Sequence, residues 1–396
     1  MDSNNSLEKD RGVLAGVRVL DLTRLLPGPV TTWMLRRLGA EVIKVESPKV
    51  MDYLRFTPPL VDGMNPTYRM LNEGKRHIVL DLKNDSAREA IFQLLENIDI
   101  LVEQYRPGVL AKLGLDASEL RKRFPRLIIA SITGFGQTGP YAKRAGHDLN
   151  YQAASGLLSR YDGTPATTVP AYQPADVTGG SYYATLSILA ALLGRSTSGE
   201  GRHLDISMTE GALPVGALGL ATAIAGKPED RVFNSTLQGD MACYNIYECK
   251  DGRALVVAAL EPKFWISFCE AVGHPEWIEV QTDFSQGSQI SAELAEMFAQ
   301  EDAAFWIDKL QEVDCCVELV ALPEEIPEHP QHKARKVLVE GPCLRLPGIE
   351  ISGTSVDTRQ SDLRLGAETR AVLEESGINS KEIDALIKGG AAIQAS

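Results

Sequence analysis

From Gly16 onward, short apolar runs alternate with stretches of helical spacing. Val17–Leu22 (VRVLDL) is a β-branched run ending in Asp and predicts a strand. The loop TRLLPGP follows, then Thr31–Gly39, a predicted helix closed by its glycine. Glu41–Ser47, His77–Leu82, Asp99–Gln104 and Leu127–Gly136 predict further strands. Asn84–Asn97 puts Ala87, Ile91, Leu94 and Leu95 on one helical face, with Asn84 or Ser86 available to cap it. Strands separated by helices imply βαβ units around a mostly parallel sheet. The loops Thr23–Pro29, Ser47–Val50, Gln104–Gly108 and Gly134–Pro140 then gather at the carboxyl edge, where open α/β sheets bind ligands.

Beyond Gly201 the pattern predicts the strand HLDISM, a helix over Thr209–Ala225 and a polar link over Gly226–Asn234. A hairpin follows, YNIYEC and RALVVAAL around the turn Lys250-Asp251-Gly252. Helical spacing recurs at Pro262–Val272, Ser291–Gln300 and Ala303–Val313, then a strand at Val317–Leu322. Pro323–Arg335 is Pro-rich and charged, a second link. The expected organisation is therefore α/β: the N-terminal part of a large domain over 1–205, a linker over 206–230, a smaller α+β domain over 231–325, and a linker and C-terminal return to the large domain over 326–396.

Composition narrows the chemistry. The 396 residues carry 40 Lys+Arg against 53 Asp+Glu, a formal charge of −13, with 44% hydrophobic residues. That is globular composition, and so negative a field disfavours a general nucleic-acid binder or a polybasic membrane docker. The six cysteines include no CxxC pair, so no metal is expected and the thiols read as free. The polar start MDSNNSLEKDRG has no hydrophobic core of a signal peptide, and the Gly/Ala-rich stretches Gly179–Gly194 and Gly211–Gly226 fall short of the roughly 20 apolar residues of a membrane span. Those stretches predict buried helices, in a cytoplasmic protein with no membrane or nucleic-acid partner. Against the acidic background, Lys44, Lys75, Arg76, Lys83, Arg106 and Lys112 fall in or near the strand-end loops and form a candidate anion-binding rim. Neither GxGxxG nor GxxxxGK[ST] is present, so an anion bound there is held another way.

Three residues are candidates for chemistry. His147 stands in AGHDLNY at the start of a predicted helix, and Asp176 opens another just before Gly179-Gly180. A carboxylate at a helix N-terminus is favoured by the dipole and its unpaired N–H groups. Glu261 stands between the apolar strand ALVVAAL and a helix, where it could orient a histidine. A capping or structural role remains open for each.

The ordered motifs LAGVRVLDL…PGP, LGAEVIKVESP, KRHIVLDLK, DILVEQYRPGV, LIIASITGFGQTGP, AGHDLNYQAASG, ADVTGG and YNIYECKDGRALVVAALEPKFW together resemble the family III CoA-transferases of the CaiB/BaiF type. Within that superfamily the chain is most similar to the α-methylacyl-CoA racemases. The resemblance implies an interlocked homodimer, each chain with a Rossmann-like large domain and a smaller domain, the active site lying where one chain's large domain meets the other's small one. It implies an acyl-CoA substrate, no cofactor beyond that CoA moiety, and nucleotide and pantetheine contacts from Arg24, Lys44, Leu71, Lys75, Arg76, Gln104, Tyr105 and Arg106. Two chemistries follow from it. In the transferases the acid matching Asp176 is a nucleophile that forms an acyl anhydride. In the racemases it shares an α-proton with the GHD histidine. His147, Glu261 and Leu26 stand where the transferases usually carry no histidine, a glycine-rich loop and, in the formyl enzyme, a glutamine, so the resemblance implies the racemase branch.

Overall fold

A computed structural model describes residues 12–160, 165–226, 237–339, 343–344 and 362–395. The chain divides into two compact units, one built from the described residues up to Ser155, Pro170–Val215 and those from His332 onward, the other from those in Gly156–Val169 and Gly216–Gln331.

The first unit is a layered α/β domain. β1 (Arg18–Asp21), β2 (Glu41–Glu46), β3 (Arg76–Leu80), β4 (Ile100–Glu103), β5 (Ile128–Thr133) and β6 (His203–Ser207) pair in parallel in the order β3-β2-β1-β4-β5-β6. Ala392–Ile393 closes the β3 edge antiparallel. The strands are short apolar runs because both faces are covered. One face packs Leu20, Ile43, Ile78, Leu101 and Ile129 against Ala87, Ile91 and Leu94 of α2 (Asp85–Leu95) and against the helices Thr369–Glu375 and Ser380–Lys388. Strand order reverses between β1 and β4, the place where a sheet of this topology opens a crevice at its carboxyl edge.

α1 spans Pro27–Arg37, so the PGP read as loop is its first turn: Pro27 stands at the helix start, where its missing N–H costs nothing. α3 (Asp148–Ser155) carries the GHD motif at its start. Ala175–Tyr182 is a π-helix that runs on into α4 (Tyr183–Ser198). The single helix expected over Thr209–Ala225 is interrupted. α5 (Met208–Ala212) gives way to a 3₁₀ turn, Leu213–Gly216, around Pro214, which has no N–H to continue the ladder.

In the second unit, α6 (Ala217–Ala225) buries none of its residues, against the expectation for Gly211–Gly226. The polar link expected over Gly226–Asn234 lies, after Gly226, outside the described residues. β7 (Tyr244–Glu248) and β8 (Ala254–Ala258) form the hairpin, and β9 (Val317–Leu319) pairs antiparallel to β8. α7 (Pro262–Val272), α8 (Phe284–Phe298) and α9 (Ala303–Leu310) cover this sheet with Trp265, Phe268, Phe298 and Trp306.

Candidate active site

A cleft of about 600 Å³ runs along the carboxyl ends of β1 to β5, at the strand reversal. Asp176 and His147 both line it, though 29 positions separate them in sequence (176 − 147).

Asp176 sits in the first turn of the π-helix. Single π-turns widen a helix and are frequent at functional sites. This one is held by close backbone approach: a Cβ on Gly179 would lie 2.4 Å from the Met208 carbonyl oxygen, and one on Gly211 would lie 2.1 Å from that of Gly179. Ser181 Oγ donates to the Pro27 carbonyl at 2.7 Å and to that of Asp176 at 3.2 Å, fastening the turn to α1. The Asp176 carboxyl is lifted from 3.8 to about 7, first by burial and then by the Asp148 charge beside it.

His147 stands just before α3. Its N–H donates to Asn150 Oδ1 at 3.0 Å, and its carbonyl accepts from the N–H groups of Asn150 and Tyr151. Tyr151 donates to the Gly146 carbonyl at 2.6 Å, and its ring packs so closely on Gly134 and Gly146 that neither position tolerates a Cβ. The imidazole is left exposed on the cleft. Asp148 opens α3 directly after the histidine. Its Oδ1 accepts the Asp176 N–H at 2.8 Å and its other oxygen takes the Gln152 amide, so one side chain ties the histidine's helix to the acid's. Glu261 belongs to the second unit, directly before α7, and its carboxylate caps none of that helix's N–H groups.

Of the residues matched to the CoA contacts, Arg24, Gln104, Tyr105 and Arg106 line the cleft. Burial lifts the Tyr105 hydroxyl to about 12. The other four do not line it. Lys44 is fully buried, its Nζ on the Thr23 carbonyl (3.0 Å) and Asp52 (3.4 Å). Lys75 is fully buried on Asp21 at 3.1 Å, and burial drops its ammonium to about 8. Leu71 packs in a core with Val30, Trp33 and Met34. Arg76, at the amino end of β3, pairs with Glu41, Glu368 and Glu375. The cleft also gathers Lys49, Lys83 and Arg144. Lys83 had a signal, in the rim of basic residues at strand ends. Lys49 lies in a loop assigned to the carboxyl edge, and Arg144 stands three residues before the histidine. Among the described residues Arg24, Lys83, Arg106 and Arg144 make no ion pair, whereas Lys49 pairs with Asp81 at 2.7 Å, so the cleft offers uncompensated positive charge to an anionic ligand. No group of three or more His, Cys, Asp and Glu side chains suited to a metal occurs among the described residues.

The sequence profile of CoA-transferase family III matches residues 14–367. The acetyl-CoA:oxalate CoA-transferase of Acetobacter aceti is 32% identical over 87% of this chain and 90% of its own length. The α-methylacyl-CoA racemase of Mus musculus is 33% identical over 94% and 95%. The crystal structure of a CAIB/BAIF family protein from Brucella suis superposes with a TM-score of 0.79 at 27% identity, covering 92% of this chain and all of that one. With the profile running over most of its length and relatives above 30% identity across nearly the whole chain, this protein belongs to CoA-transferase family III.

Proposed function

We propose that this protein epimerises 2-methylacyl-CoA thioesters by a two-base proton transfer at the α-carbon. The observation that carries the reading is the pairing, in one cation-rimmed cleft, of the His147 imidazole with a carboxyl held near 7. A general base works best with a proton affinity near the operating pH, and Asp176 is then present as both acid and carboxylate. One base takes the α-hydrogen as a proton, its electron pair moves into an enolate delocalised onto the thioester oxygen, and the other returns a proton to the opposite face. The reverse direction exchanges the roles. The basic rim suits the phosphates of CoA. Glu261 would reach the histidine from a second copy of the chain, in the interlocked homodimer implied by the family resemblance.

The test is ¹H/²H exchange at the α-carbon of a panel of 2-methylacyl-CoA thioesters in D₂O, beside an assay of CoA transfer to free acids. Exchange with loss of chirality is expected; His147→Ala and Asp176→Ala should each abolish racemisation, while exchange on the face of the remaining base can survive. No α-exchange on any of them overturns the reading. A transferase-named relative aligns at 32% identity against 33% for a racemase, which favours a second reading. The Asp176 carboxylate attacks the thioester carbonyl and expels CoA thiolate, leaving an aspartyl–acyl anhydride. The thiolate attacks its aspartyl carbonyl, releasing the first acid and forming an aspartyl–CoA thioester. An incoming carboxylate then expels the thiolate as a second anhydride forms, whose acyl carbonyl the thiolate attacks to give the new acyl-CoA and free Asp176. Trapping of an acyl-enzyme on Asp176 by hydroxylamine would establish it instead.

A further inference from the structure

The loop from Thr23 to Gly28, between β1 and α1, is held at four points by side chains from elsewhere in the chain. The Thr23 carbonyl accepts from Lys44 Nζ at 3.0 Å. The Arg24 carbonyl accepts from Gln104 Nε2 at 2.6 Å, and the Gly28 N–H donates to Gln104 Oε1 at 3.1 Å, so one amide spans the loop. The Leu25 N–H donates to Asp52 Oδ2 at 3.0 Å, which holds Leu25 in the left-handed region at φ +64°, a conformation a leucine rarely adopts unless its surroundings fix it. Gly28 is needed for the fit, since a Cβ there would lie 2.2 Å from Thr23 Cβ and 2.5 Å from Gln104 Oε1. The side chain this scaffold presents is Arg24, exposed on the cleft with no ion pair among the described residues.

We propose that Gln104, backed by the buried pair Lys44 and Asp52, is a positioning residue: it presets the Thr23–Gly28 loop so that the Arg24 guanidinium meets an anionic group of the acyl-CoA without first being ordered. This reassigns Gln104 and Lys44 from contacts with the ligand to supports of the residue that contacts it. Both amide groups of Gln104 are already engaged by the backbone, and the Lys44 ammonium is fully buried. Fixing a loop in its bound conformation before the ligand arrives raises affinity by removing the ordering cost at binding. The inference rests on the acyl-CoA reading above.

The test is titration of CoA into four proteins: unaltered, Gln104→Met, Arg24→Ala and the double variant, each checked for folding by its melting temperature without ligand. Gln104→Met keeps the side chain's length and removes both hydrogen bonds. It should weaken CoA binding about tenfold, and in turnover KM should rise by more than kcat falls. Because Gln104 acts through Arg24, the double variant should bind within about twofold of Arg24→Ala alone. Should Gln104→Met fail to fold, Gln104→Asn, too short to reach both ends of the loop, gives the same comparison. Binding by Gln104→Met within twofold of the unaltered protein overturns the inference, as do effects of the two substitutions that simply multiply. If the unaltered protein does not bind CoA, the functional reading falls and takes this inference with it; if it binds and turns over while Gln104→Met matches it, the inference alone falls.

Discussion

Asp176 is a carboxyl whose surroundings disfavour its charge, and that has a consequence for stability independent of any substrate. A group whose folded proton affinity is raised contributes stability below its ordinary value and loses it as pH rises through the folded value. For Asp176 the window runs from near 3.8 to about 7. Asp176→Asn removes the charge that must be buried above that window. The variant should therefore match the parent near pH 4 and exceed it above pH 7, by about 1–2 kcal/mol once partial exposure is allowed for. Glu103, also lifted to about 7 by burial, titrates in both proteins and cancels in the difference. Adding Asp148→Asn to the parent should narrow the gap, because the Asp148 carboxylate is the second cause of the shift. Melting temperatures from pH 4 to 8 check this; a gap independent of pH would mean Asp176 is not a strained carboxyl. The same residue that costs stability above neutrality is the one on which the proposed chemistry turns.

At the scale of elements, the π-helix depends on glycines that let two helices meet at backbone distance. In an open helix, Gly→Ala stabilises by about 1 kcal/mol. At Gly211 the added methyl would lie 2.1 Å from the Gly179 carbonyl oxygen, so the helices must part, at a cost of about 1–3 kcal/mol of the kind seen for overpacked cores. Gly211→Ala should lower the urea midpoint and, by shifting the turn that carries Asp176, reduce turnover more than CoA binding. A variant as stable as the parent would mean the crossing has slack. The strands of this fold were legible because β2, β4 and β5 are apolar runs bounded by turns, and the strand-end loops could be placed from them. The π-turn was not legible, since one extra residue in a helical ladder leaves no side-chain period to read. Nor does a lysine near a strand end reveal which way it points. Lys44 and Lys75 were counted toward the rim, but each turns inward because Asp52 and Asp21 wait there, pairings that bring together a loop after β2 and a strand end 54 positions away, neither of which an element period encodes. His147 and Asp176 could be singled out by motif, whereas the Asp148 tether between their helices is a hydrogen bond across 28 positions that no motif announces.

At the scale of the molecule, α4 carries large apolar side chains on its outward side as well as on its buried one. Ala184, Ile188 and Ala191 are buried on one side, while Tyr182, Leu186, Ala190 and Leu193 run along the other at helical spacing, with Leu186 61% and Leu193 75% exposed. An exposed apolar stripe along a helix marks a surface meant to be covered. A second copy of the chain is the occupant we propose; under the proposed function, that contact would bring Glu261 of one copy to His147 of the other. The double variant Leu186→Glu, Leu193→Glu puts two charges into the stripe without touching the cleft lining. Light scattering should then read one copy where the unaltered protein reads two. The melting temperature of the unaltered protein should rise with its concentration while that of the variant should not. Under the proposed function, CoA should still bind to the variant, because the matched cleft residues all lie in the first unit, whereas racemisation should be lost with the partner's Glu261. An unaltered protein that scatters as a single copy while turning over at full rate would place the whole reaction within one chain.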